Sequence, residues 1–67
     1  MQHEKIYNEL YSKHGRFVLN KKETAMELHV STASIDRMRK NGQLQSKRIN
    51  GQIFFTLEEV SRFLAEV

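Results

Sequence analysis

The segment Lys21 to Lys40, KKETAMELHVSTASIDRMRK, restricts the fold more than any other part of the chain. Its small and apolar side chains fall where two short helices joined by a tight turn need them. Ala25 is small enough for a second helix to cross closely, Leu28 lies one turn further along the same face, and Val30 is expected to plug the turn. Ile35 and Met38, three apart, form the expected buried stripe of the second helix. Asn20, with Glu23 three residues on, reads as a reciprocal N-terminal cap, so the first helix is expected to begin at Lys21 and run to Leu28. Ser31 caps the second, and Asn41-Gly42 ends it through a left-handed residue. His29 occupies the turn, where Gly is commonest. His tolerates positive φ better than most residues, and it reads as a turn residue rather than a metal or proton-transfer group.

At 100° per residue, Thr32, Ala33, Asp36, Arg37 and Lys40 point away from the Ile35/Met38 stripe. A helix showing two cations on its outer side suits the major groove of a duplex. Many surface helices carry Arg and Lys only for solubility, and charge alone favours that plainer account. The caps, the spacing and a hairpin signal downstream reverse the preference.

After Gly42 the period becomes extended. Gln45 to Ile49 and Gln52 to Phe55 flank Asn50-Gly51, the strongest short hairpin signal, because both residues accept the positive φ of a type I′ turn. Many such pairs are purely structural. Here Lys47, Arg48 and Gln52 stand beside the tip, which makes the hairpin a candidate for touching phosphates or an adjacent minor groove. The pattern leaves open which of Ile49, Ile53, Phe54 and Phe55 face the core. Thr56 and Glu59 read as a capping box opening a last helix with Leu57, Val60, Phe63 and Leu64 on its buried face, Phe63 and Leu64 being the expected anchors. That helix is acidic and a poor DNA contact.

Ahead of the motif, residues 3–14 read as an amphipathic helix, with Ile6 and Leu10 four apart, Tyr7 and Tyr11 four apart, and Gly15 to end it. Its apolar edge is expected to pack on the rest of the chain; a contact surface for another copy or protein is the alternative. Phe17-Val18-Leu19 is a short apolar link, either a small edge strand or an anchor for the start of the core. The division expected is an accessory helix over residues 1–16 and a DNA-binding domain over 17–67.

Sixty-seven residues make one small domain whose single core is barely adequate. There is no cysteine, and His3, His14 and His29 are too scattered to hold a metal, so packing alone must supply stability. The absence of a long apolar run and of a leader pattern points to a cytoplasmic protein. The net charge of +3 is a modest bias, but it is unevenly placed: residues 1–20 carry +1, residues 21–56 carry +4 and residues 57–67 carry −2.

From Phe17 onward the order of features resembles the excisionase and MerR-like winged helix-turn-helix group: helix, tight turn, recognition helix, Gly42-Gln43-Leu44, a basic strand, a glycine-tipped wing and a helix opening with acidic residues. The resemblance implies a mainly α fold with a small β-hairpin, here with an extra N-terminal helix, and sequence-specific binding of double-stranded DNA. It places Thr32, Ala33, Ser34, Arg37 and Lys40 on the recognition helix and Lys47, Arg48, Asn50, Gly51 and Gln52 at the wing. His29 in place of the usual Gly, and Arg39 where an apolar residue is common, depart from the pattern. The chain carries neither the long dimerisation helix nor the effector domain of full MerR-type regulators, which favours the small bacterial or phage excisionases and prophage regulators, associated with the nucleoid.

On this reading Lys21 or Lys22, Ser31, Arg39, Lys47 and Arg48 contact phosphates and supply most of the affinity, Arg37 reads a guanine, and the wing senses groove width. So small a domain is expected to act in several copies on adjacent sites or with a recombinase. The rival from another class is a protein-interaction module gripping a recombinase or polymerase through the Tyr7/Tyr11 helix or the last helix. No paired carboxylates, base-activated nucleophile, phosphate-cradling loop or metal-ligand spacing appear, so no enzymatic activity, cofactor, metal or small-molecule ligand is expected.

Overall fold

The computed structural model describes residues 2–66, and within them the chain forms four helices and a three-stranded antiparallel sheet. In order these are α1 (Gln2–His14), β1 (Val18–Asn20), α2 (Lys21–Leu28), α3 (Thr32–Lys40), β2 (Lys47–Ile49), β3 (Gln52–Thr56) and α4 (Leu57–Glu66). β3 is the central strand, with β1 and β2 on its two sides. The link over Phe17–Leu19 therefore does supply an edge strand, and the hairpin belongs to a larger sheet. None of the helices among the described residues is long and apolar enough to cross a membrane.

Local chemistry sets most of the boundaries. Glu23 N–H donates to Asn20 Oδ1 at 2.7 Å while Asn20 N–H donates to Glu23 Oε1 at 3.0 Å, which satisfies two of the donors that the start of a helix leaves open. α2 ends at His29, whose φ of 59° and ψ of 43° are left-handed. There His29 N–H donates to Met26 O and Val30 N–H to Ala25 O, the paired bonds of a Schellman closure. α3 closes the same way, with Gly42 at φ 80° and bonds from Gly42 N–H to Arg39 O and Gln43 N–H to Met38 O. Val30 does not plug the turn with its side chain, which is exposed; its backbone N–H does the closing.

The register answers what the pattern left open. Leu19 pairs with Phe55 across β1 and β3, and both are fully buried. Ile53 and Phe55 share the core side, and Phe54 leaves the opposite face with Asn20 and Lys47 beside it. Ile49, paired with Gln52 next to the turn, is exposed. The rest of the core is Leu10, Ala25, Ile35, Leu44, Leu57 and Val60, with Ile6, Tyr7, Leu28, Met38, Ile53, Phe63 and Leu64 packed around it. Helix α1 packs against α4 and places Leu10 in that core.

The capping of α4 is simpler than the reciprocal box its sequence suggested. Glu59 N–H donates to Thr56 Oγ1 at 3.1 Å, but the Glu59 carboxylate turns away to accept from Gln45 N–H at 2.9 Å and from Arg62. Its principal anchors are also different: Leu57 and Val60 are fully buried, whereas Phe63 and Leu64 are half-buried. Buried Ser61 and Thr24 fit the core because their hydroxyls donate to the carbonyls of Leu57 and Asn20, four residues back.

Phe55→Ala is expected to cost about 3–5 kcal/mol, and Phe63→Ala clearly less, as read by chemical denaturation. His29→Gly should stabilise the fold by roughly 1 kcal/mol, because glycine removes the left-handed strain while giving back some unfolded-state entropy. A lowered denaturation midpoint in that variant would show that His29 carries too little strain to offset that entropy.

Candidate nucleic-acid interface

The side chains singled out from the sequence fall on two basic segments. On α3, Thr32, Ala33, Arg37 and Lys40 are exposed and Ser34 is half-buried, so the helix does leave its outer side uncovered while Ile35 is fully buried and Met38 half-buried behind it. Ser31, also exposed, caps the helix by accepting from Ser34 N–H at 3.1 Å. Ser34 Oγ in turn receives Arg37 Nη2–H at 3.1 Å, which holds the guanidinium along the helix surface without an acidic partner. On the hairpin, Lys47, Arg48, Asn50, Gly51 and Gln52 are all exposed. Asn50 at φ 52° and Gly51 at φ 80° make the tight turn that projects the tip. Successive side chains leave opposite faces of a strand, so Lys47, opposite Phe54, and Arg48, opposite Ile53, flank the hairpin on its two sides.

Between these segments lies the stretch from Asn41 to Ser46, which is fastened to α4. Leu44 is buried, Arg62 Nη2–H donates to Gln43 O at 3.3 Å, and Gln45 N–H donates to Glu59 at 2.9 Å. Arg62 also pairs with Glu66. The acidic helix thus holds the connection from behind.

Ion pairing separates the cations into two classes. Lys13 pairs with Glu27, Arg16 with Glu23, Lys21 and Arg39 with Asp36, and Arg62 with Glu59 and Glu66. Among the described residues Lys5, Lys22, Arg37, Lys40, Lys47 and Arg48 have no acidic partner; Lys5 lies on α1, and the other five lie in the segment where positive charge is concentrated. Lys21 and Arg39, anticipated as phosphate contacts, are half-buried and drawn onto Asp36. Asp36 is the residue whose role the pattern did not reveal. It lies four residues after Thr32 and four before Lys40 on the outer stripe, but its Lys21 partner comes from another helix.

The acids of this region are held as carboxylates. The Arg16 guanidinium, aided by the Asn20 backbone, brings the Glu23 carboxyl down to about 2. Lys21, then Arg39, lowers that of Asp36. Arg62 does the same for Glu59. Burial pushes Glu27 up, but Lys13 and His14, whose Nζ and Nε2 lie 2.9 and 2.7 Å from its Oε2, bring it below its usual value. Among the described residues no group of three or more His, Cys, Asp or Glu side chains is placed to hold a metal ion.

Neither models of known protein families, nor characterised proteins, nor solved structures give a match to this chain.

Groups with depressed folded pKa values contribute stability that is complete above their ordinary carboxylate values and is lost as pH falls toward the folded ones. Melting followed by circular dichroism should therefore hold steady from pH 7 to about 5 and fall toward pH 2. Glu23→Gln should be less stable at neutral pH and flatten the lower end of that decline. An equally steep decline in the variant would remove Glu23 from the account.

Proposed function

We propose that this chain binds double-stranded DNA as a winged helix-turn-helix module of the excisionase-like kind, with α3 as recognition helix in the major groove and the β2–β3 hairpin as wing. The observation that carries the reading is the clustering of five of the six acid-free cations, Lys22, Arg37, Lys40, Lys47 and Arg48, on α2, the outer side of α3 and the hairpin, Lys5 of α1 being the sixth. Phosphates are the natural partners of such cations, since each contact releases a condensed counterion from the duplex. The N-terminal turn of α3 adds short side chains at Ser31, Thr32 and Ala33, which let a sugar-phosphate backbone approach closely. Arg37, bonded only to Ser34 Oγ, has the fork needed to grip guanine O6 and N7 together. Lys47 and Arg48 on opposite sides of a narrow hairpin suit a wing laid along a groove edge. One such domain offers few phosphate contacts, and function in several copies or beside a recombinase completes the reading.

A second reading, a protein-interaction module, draws on a different surface. Tyr11 and Phe17 stack at 4.8 Å between ring centroids and are both exposed, as is Met26 of α2. Salt separates the two readings. Fluorescence anisotropy on mixed-sequence duplex should show a steep loss of affinity with added salt for a DNA binder and no binding for a pure adaptor.

On a selected cognate site, Arg37→Ala should relax preference at one base pair, a loss of roughly 1–3 kcal/mol in discrimination. Lys47→Ala should instead weaken all sequences alike and lower the salt slope by about one. If neither substitution alters binding, α3 and the hairpin are not the interface.

A further inference from the structure

We infer that Asp36 acts as a charge brake on DNA binding: it withholds Lys21 and Arg39 from phosphates and so limits how tightly the chain holds duplex of any sequence. The inference rests on the DNA-binding reading above. Its geometric basis is a three-residue cluster. Lys21 Nζ lies 2.9 Å from Asp36 Oδ1 and 3.1 Å from Oδ2, and Arg39 Nη2 lies 3.3 Å from Oδ1. Arg39 is drawn inward, its Nε buried and without a hydrogen-bond partner. Asp36 itself sits in the Thr32–Asp36–Lys40 stripe, the side of α3 that the proposed interface presents.

A carboxylate in that stripe is costly for a surface that only needs to attract DNA. It engages two cations at once, offsetting one of their two charges, and adds a repulsion toward the phosphates. Its effect is on the sequence-independent part of the affinity. Non-specific affinity is set by how many cations reach phosphates, each adding about 0.9 to the salt slope, whereas discrimination comes from contacts to base edges. Removing two cations from the first count lowers binding to every sequence and leaves the base-reading fork of Arg37 intact, because Arg37 bonds to Ser34 and not to Asp36. Affinity for every sequence therefore falls together, while the preference set by Arg37 is kept. The pairing also joins α2 to α3, so a purely structural role must be told apart from the brake.

The test is a salt titration of duplex binding by the full chain, using mixed-sequence DNA and a site selected from a random pool. With the five acid-free cations of α2, α3 and the hairpin on the duplex, the wild type should have a slope no steeper than about 4.5. Asp36→Asn, similar in shape but uncharged, should tighten binding to mixed-sequence duplex and steepen the slope by about 1.8. That makes the loss of affinity between roughly 50 and 200 mM salt about 12-fold greater than in the wild type. Adding Lys21→Ala to Asp36→Asn should remove about half of the increase, and Asp36→Glu, which keeps the charge, should restore the wild-type slope. A merely structural Asp36 would change melting temperature and leave the slope alone. An unchanged slope in folded Asp36→Asn overturns the brake, as does loss of binding confined to sites with one particular cytosine, which would make Asp36 a direct base reader. If that variant fails to fold, the wild-type slope still decides: a value near 6 would mean that Lys21 and Arg39 reach phosphates despite Asp36. Salt-dependent wild-type binding without a brake leaves the DNA-binding reading standing, whereas no wild-type binding removes both.

Discussion

The pairing of Leu19 with Phe55 across β1 and β3 is the contact on which the other elements depend. Both side chains are fully excluded from water, and they lie on the strand pair that joins the start of the helical motif to the end of the hairpin. In a chain of 67 residues without cysteine there is no covalent staple to replace such a contact. Slipping β3 by one residue would turn Phe55 outward and Phe54 inward, and with them every neighbour on the strand. The Asn50-Gly51 turn keeps the β2–β3 register because both residues accept positive φ, so the geometry of an exposed tip and the integrity of the core are tied together.

Around that core the charged residues are arranged by pairing rather than by simple segregation. Acids within the basic part of the chain each find a cation: Glu23 has Arg16, Glu27 has Lys13 and His14, and Asp36 has Lys21 and Arg39. The more exposed of these pairs contribute little to stability individually. Their larger effect is on the field outside, because cations that remain without partners dominate what an approaching polyanion meets. The proposed interface and its brake both arise from this sorting, and neither depends on the total charge of +3.

Helix α1 ties the N-terminal segment to the same core. Leu10 is buried and Ile6 and Tyr7 pack beside it, while His3 Nε2 lies 3.2 Å from Glu58 Oε2 of α4. Tyr11 and Phe17 remain outside as a stacked pair.

Signals carried within a few residues were legible from the chain itself. The Asn20/Glu23 box, the Ser31 cap, the left-handed positions at His29 and Gly42, the Asn50-Gly51 turn and the Ile35/Met38 stripe all depend on short-range backbone geometry, which residue identity dictates directly. Much of the candidate interface was legible for the same reason, since the outer side of a helix is set by the position of its inner one. Tertiary structure decided what depends on residues far apart in sequence: the register burying Phe55 instead of Phe54, the exposure of Val30, Leu57 and Val60 as anchors of α4, and the diversion of Glu59 to Gln45 and Arg62. It also decided that Lys21, fifteen residues before Asp36, is bound to it. A side chain's periodicity states which way it points, but its partner is set by the helix or strand that the folded chain brings alongside.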